Sequence, residues 1–174
     1  VMISLEIPKD IVEDIKSKPD PIGELPNSIL EGEGNIYNAV AVQVCERCLG
    51  LTAITSKPNR YHYNLEHDGR KIELKVKVVN SEPRSYYETS IADSNTNQKC
   101  DDYLFGRVKT DFSKIWILGS LPRDEYFKRA RFRKVGDVDP SNGQIAKQSC
   151  HQVRIDELDT TLINSWFNNR GNTL

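Results

Sequence analysis

The alternation of apolar and polar positions marks one segment of the chain most clearly as a β-strand. Across residues 72–78 every second side chain is apolar, and the positions between are Glu73, Lys75 and Lys77. Because side chains of a strand point alternately to its two faces, this pattern predicts one apolar face and one charged face. The Asp68-Gly69 step before it is typical of a two-residue hairpin turn.

This turn determines the register of the predicted hairpin. With two residues in the turn, His67 lies opposite Arg70, and Asn64 lies opposite Glu73. Opposed side chains of an antiparallel pair have Cβ atoms roughly 5 Å apart, so we expect Asn64 and Glu73 to be neighbours, with Lys75 beside them. Oxygen ligands next to a lysine indicate metal-assisted cleavage of a phosphodiester. Alternatively, the charged face only keeps the hairpin soluble.

Similar periodicities predict helices and strands around this hairpin. Helices are expected within residues 3–18 and over 35–49, 122–132 and 162–167, and short strands over 51–55, 86–91, 103–108, 114–119 and 152–155. The strands cluster in the middle of the chain, with helices before and after them. The predicted fold class is therefore mixed α/β, with a central mixed sheet flanked by helices.

Composition restricts the possible partners. The chain has 174 residues, enough for one domain with a sizeable core, and a net charge of −1. With no global positive field, any nucleic-acid partner must bind a local patch. No run of eighteen apolar residues is present, so we expect an intracellular, cytoplasmic protein without a membrane partner.

The four cysteines allow two interpretations. Cys45 and Cys48 have the spacing of zinc ligands, and Cys100 and Cys150 could complete a tetrahedral site. The first pair also falls on a helix beside apolar residues, where a cysteine behaves as a small apolar side chain. Buried free thiols are the favoured interpretation.

A basic segment with aromatic residues follows position 122 and predicts a nucleic-acid surface. The alternative is an amphipathic helix with a solvated basic face, and for the polar residues near position 98 it is helix capping. The candidate nucleic-acid-binding residues are Lys77, Gln98, Lys99, Arg129, Arg131, Arg133 and Lys134.

The layout of Asn64, Glu73 and Lys75 around the tight turn resembles the acid, hairpin, acid-x-lysine motif of the PD-(D/E)XK nuclease family. Downstream stretches such as 94–103 and 136–143 resemble small phage-encoded members, so the resemblance spans roughly residues 30 to 158. It implies a restriction-endonuclease-like core over residues 35–158. An N-terminal helix and connection (1–34) would precede this core, and a helical tail (159–174) would follow it.

The resemblance implies a Mg²⁺-dependent or Mn²⁺-dependent DNA endonuclease. Asn64 and Glu73 would hold the metal, Lys75 would support the water or the phosphate, and Glu46 would replace a helix carboxylate of the family that this chain lacks. The alternative for Glu46 is a solvated helix glutamate beside Arg47. For His62 the alternatives are a proton carrier or ligand and a surface histidine. Double-stranded DNA and a homo-oligomeric partner, a dimer or larger, are also implied, as is a phage or mobile-element origin.

One departure from the family pattern concerns the metal. Asn64 stands where the family has an aspartate, and an amide contributes no charge, so the metal site is weakened or inactivated. The change is consistent with a natural variant that still cuts, with natural loss of activity, or with a deliberate substitution. The alternative function is an inactive nuclease-fold protein that binds nucleic acid or another protein.

Overall fold

The computed structural model of the chain describes residues 1–18, 33–55 and 62–171. These residues form a mixed α/β fold, which confirms the predicted class. Most of the predicted connection before residue 35 and the first residue of the predicted hairpin, Tyr61, lie outside the described residues. The helices are α1 (Lys9–Ser17), α2 (Glu33–Leu49), α3 (Arg123–Arg129) and α4 (Thr161–Gly171). The strands are β1 (Ile3–Glu6), β2 (Thr52–Ala53), β3 (Leu65–His67), β4 (Arg70–Val79), β5 (Glu88–Ala92), β6 (Asp102–Lys109), β7 (Lys114–Pro122), β8 (Arg131–Arg133) and β9 (Cys150–Arg154).

Six strands form the central sheet in the order β1-β7-β6-β4-β3-β2. Strands β4 and β6 are parallel, and the other neighbours in this sheet are antiparallel. The sheet is therefore mixed, as expected. Strand β1 was not predicted, because its four residues are too few to show a period, and it is held by pairing with β7.

The apolar face of β4 packs against helices. Ile72 and Leu74 lie in one core cluster with buried residues of α1, α2 and α4, among them Ile11, Val44 and Ile163. This cluster contains the stripe predicted for residues 35–49, and the helix there is confirmed. Burial of these side chains is the main force that holds the helices against the sheet.

A second core cluster covers the opposite face of the sheet. It joins Tyr103 and Phe105 of β6 to Tyr126 of α3 and Val153 of β9. Strand β9 is the middle strand of a three-stranded antiparallel sheet with the order β5-β9-β8. The interpretation of the charged face of β4 as a solvent-exposed hairpin surface is wrong at Glu73, which is buried with Gln98 beside its carboxylate.

The basic segment is shorter as a helix than predicted. Helix α3 ends at Arg129, and the three residues from Arg131 form β8 beside β9. Residue Ala130 has an extended backbone, with ψ of 144°, which ends the helix. None of the helices in the described part of the chain is long and apolar enough to span a membrane.

Candidate functional site

The predicted hairpin register is confirmed. Leu65 pairs with Ile72, and His67 pairs with Arg70 across the Asp68-Gly69 turn. Both turn residues have positive φ angles, 47° and 76°, as a two-residue hairpin turn requires. The paired part of the first strand is shorter than expected, however, because β3 begins only at Leu65.

Asn64 stands at the point where the first strand leaves β4. Its Oδ1 accepts a hydrogen bond from the backbone N–H of Leu74 at 2.8 Å, and its Nδ2 donates to the carbonyl oxygen of Leu74 at 3.3 Å. The first bond fixes the orientation of the amide, because only an oxygen can accept from the N–H. Nδ2 also faces Oδ1 of Asn38 on α2 at 3.5 Å.

Glu73 is held by a different set of partners. Its side chain is 6% exposed, and Gln98 Nε2 lies 3.4 Å from its Oε2. Burial raises the pKa of this carboxyl to about 7, and the nearby Lys75 ammonium opposes the shift. Among the described residues, no hydrogen bond joins Glu73 to Asn64. The expected neighbours therefore flank the same residue, Leu74, without touching each other.

The structure does not bring Glu46, the predicted helix carboxylate, to this group. It is an exposed residue whose Oε2 accepts a hydrogen bond from the backbone N–H of Ala53 at 3.1 Å. Helix α2 covers the face of the sheet that carries Leu74, whereas Glu73 points to the other face. His62 lies outside the paired strand and accepts from the backbone N–H of Lys99 at 3.2 Å.

Gln98, which was predicted to bind nucleic acid, is only 4% exposed and does not lie on the surface. Besides Glu73, its side chain contacts the hydroxyl of Tyr103, at 3.4 Å. Lys99, by contrast, is exposed. The sequence could not separate these adjacent positions, because no regular element extends over them.

The other candidate cations for nucleic-acid binding divide into two groups. Arg129 and Arg131 are bound to protein groups: Arg129 to Glu125 and Arg131 to Glu88 and Glu157. The other group has no ion pair among the described residues. It contains the side chains of Arg133, Lys134 and the strand residue Lys77.

The oxygens near Leu74 suit a hard cation such as Mg²⁺ or Mn²⁺ by their chemical type. They are Asn38 Oδ1, Asn64 Oδ1 and the Leu74 carbonyl. The carboxylate of Glu73, the preceding residue, points to the opposite face of the sheet and contacts Gln98. The combined charge of these groups is small, and no group of three acidic, histidine or cysteine residues that could hold a metal occurs in the described residues. Asn38 was missed at the sequence level, because only the packing of α2 on β4 brings it to this place.

The structure also shows the state of the four cysteines. All four are free thiols, and burial raises the pKa of Cys45 to about 12. No cluster with Cys45 and Cys48 could hold a metal ion in the described part of the chain. Cys45, Cys100 and Cys150 are buried, as the favoured interpretation expects, whereas Cys48 is half-buried.

Comparison with known proteins adds no further assignment: no protein-family model matches this chain, and no curated protein matches its sequence significantly.

Proposed function

We propose that this chain is a metal-dependent DNA endonuclease of the PD-(D/E)XK type with a weakened metal site. Glu73 is the carboxylate of that site, and Lys75 is the cation that supports the attacking water or the phosphate. Double-stranded DNA is the proposed substrate. Cleavage of both strands needs two sites, which a homodimer or larger homo-oligomer would supply.

One observation supports the proposal: the Asn64 amide N–H₂ points at two oxygens, those of Leu74 and Asn38, next to the backbone of the residue that follows Glu73. A donor group there satisfies the same oxygens that a cation would bind. With an aspartate at position 64, the group would consist of oxygens alone. The arrangement is thus that of an oxygen site in which an amide replaces one charge.

A bound Mg²⁺ or Mn²⁺ would polarise the scissile phosphate and acidify a water molecule. The residues of the chain have their own tasks. Glu73 must lose its proton to contribute a charge, and its raised pKa makes this step pH-dependent near neutrality. Lys75 is the next residue after Glu73 on the same face of β4, and its ammonium offsets negative charge on the phosphate.

Plasmid cleavage tests the proposal. Supercoiled DNA is incubated with Mg²⁺ or Mn²⁺ and wild type, Asn64→Asp or Glu73→Gln, with Glu66→Gln of the same hairpin as the matched control. We expect the Asn64→Asp variant to nick DNA at least tenfold faster than wild type, and Glu73→Gln to abolish cleavage. Glu66→Gln should cut like wild type. Cleavage by Glu73→Gln at the wild-type rate would refute the assignment.

A second function is favoured by the same amide. Because Asn64 satisfies the oxygens around Leu74 without a metal, the fold does not need one, as expected for a catalytically silent relative that binds nucleic acid. Absence of cleavage by wild type and by Asn64→Asp, together with salt-sensitive binding of duplex DNA, would support this function instead.

A further inference from the structure

A second candidate site lies between the central sheet and the three-stranded sheet. It is a cavity of about 400 Å³ whose walls come from β4, β6, β5 and β9. Residues 137–148 complete its lining. They include a small hairpin, in which Val138 bridges Ile145 and the Gly136 N–H donates to the Ala146 carbonyl at 2.8 Å. The cavity is within the size range of small-molecule sites.

Two cationic side chains lie next to each other in one wall of the cavity. Lys77 and Arg107 are register partners on the parallel strands β4 and β6. Arg107 is 5% exposed and donates to two backbone carbonyls, those of Gly106 at 3.1 Å and Glu88 at 3.3 Å. No ion pair joins Arg107 to a carboxylate within the described residues. Neighbouring like charges repel each other, and a bound anion would relieve that repulsion.

The charge of the whole cavity lining also favours an anionic ligand. Arg133 faces the cavity as well and uses its Nε to bind Gln152 at 3.1 Å. The carboxylates of Asp137 and Asp139 accept hydrogen bonds from Lys134 N–H and from Ser141, within their own loop. Cationic side chains in the lining outnumber carboxylates by five to three: Lys75, Lys77, Arg107, Arg133 and Lys147 against Glu88, Asp137 and Asp139.

Glu88 provides an independent sign of a ligand. One of its carboxylate oxygens, Oε1, lies 3.3 Å from the guanidinium of Arg131. The other, Oε2, is buried and has no hydrogen-bond partner. Such orphaned buried acceptors are rare in folded proteins, because each costs the loss of its interaction with water. A donor group on a molecule in the cavity would satisfy it.

The remaining wall is apolar and includes Phe105 and Ile145. The ligand must therefore combine an anionic group, a hydrogen-bond donor and an apolar or planar body. A nucleotide unit has all three: a phosphate, a base amino or imino group, and the flat face of the base.

We propose that this cavity binds a nucleoside monophosphate, either free or as the phosphorylated end of a strand. Lys77, Arg107 and Arg133 bind the phosphate. Glu88 Oε2 accepts a hydrogen bond from the base. Nucleotide binding requires neither a metal ion nor cleavage. It can therefore be tested independently of the proposed endonuclease activity.

Isothermal titration calorimetry in EDTA tests the proposal with the full chain. The titrants are inorganic phosphate, ribose 5-phosphate, the four nucleoside monophosphates and a 5′-phosphorylated dinucleotide. We expect at least one nucleoside monophosphate to bind at least tenfold more tightly than inorganic phosphate. Tighter binding of the dinucleotide than of the free nucleotides would identify a strand end as the ligand, and the reverse would identify the free nucleotide. Equal affinity for phosphate and every nucleotide, or no binding of any nucleotide, would overturn the proposal.

Variants separate the two halves of the ligand. Arg133→Gln and Lys77→Met should each weaken nucleotide binding about tenfold, whereas Arg84→Gln, an exposed residue outside the cavity, should not change it. Glu88→Gln should weaken nucleotide binding about tenfold and leave phosphate binding unchanged. Circular dichroism confirms folding of each variant. Wild-type affinity in both folded cation variants would also refute the proposal.

Discussion

The side-chain amide of Asn64 pairs with both backbone groups of Leu74, at 2.8 Å and 3.3 Å, at the point where strand β3 has ended and β4 continues. The amide thus completes two hydrogen bonds of β4 that a paired strand would otherwise make. It satisfies the partly buried backbone of the residue next to Glu73. Position 64 therefore links the stability of the hairpin to the proposed site.

The first prediction concerns the exchange Asn64→Asp. In EDTA the variant should be about 1–3 kcal/mol less stable than wild type, because a carboxylate oxygen then faces the carbonyl of Leu74 and Oδ1 of Asn38. Urea unfolding measures the difference. Adding Mg²⁺ or Mn²⁺ should recover most of the loss in the variant and change wild type little.

Asn142→Asp is the matched control for that exchange. Asn142 Oδ1 only accepts, from the backbone N–H of Gln144 at 2.9 Å, and an aspartate can do the same. Its stability should be independent of the metal. A metal-independent stability of Asn64→Asp would show that no cation binds beside Glu73.

The second prediction is a pH dependence of stability that arises from Glu73. Its folded pKa, about 7, lies above the ordinary value of 4.5, so between these pH values the folded protein holds a proton that the unfolded chain has lost. Stability should therefore fall as the pH rises from about 4.5 to 7, by about 3 kcal/mol from this group. Urea unfolding of wild type and Glu73→Gln across this range measures the difference, and the variant should lack this part of the decline. An identical pH profile of the two proteins would contradict the raised pKa.

The third prediction concerns Gly119, which follows the register shift between β6 and β7. Its φ is +148°, and a Cβ there would lie 2.8 Å from Cβ of Leu158 and 2.9 Å from the carbonyl oxygen of Asp159. Gly119→Ala should therefore destabilise the fold by about 1–3 kcal/mol, measured by thermal or urea unfolding. Gly106→Ala on the neighbouring strand, where the nearest atom is 3.6 Å away, is the control and should cost clearly less.

The fourth prediction concerns the structural role of Arg131. Arg131 neutralises Glu88, whose side chain is only 5% exposed. Arg131→Gln should therefore lower stability by about 1–3 kcal/mol, because it leaves a buried carboxylate without its cation. Arg154→Gln, which breaks a pair in which both side chains are exposed, should have a smaller effect. Equal unfolding midpoints for the two variants would contradict this role of Arg131.

Local features of the sequence determined the hairpin and its surroundings. The alternation over residues 72–78 and the Asp68-Gly69 turn predicted β4, its two faces and the pairing of His67 with Arg70, all of which the structure confirms. These features depend on residues close in sequence, and a two-residue turn leaves one register in which the apolar side chains share a face.

Only the tertiary structure decided what surrounds the hairpin. Glu73 is buried beside Gln98, a residue 25 positions later in the chain, and Glu46 is remote because α2 packs on the other face of the sheet. The facing pair of Lys77 and Arg107 likewise exists because β6 returns parallel to β4. Burial, and with it pKa values and cavities, depends on contacts between distant segments, and a pattern that is read along the chain does not contain those contacts.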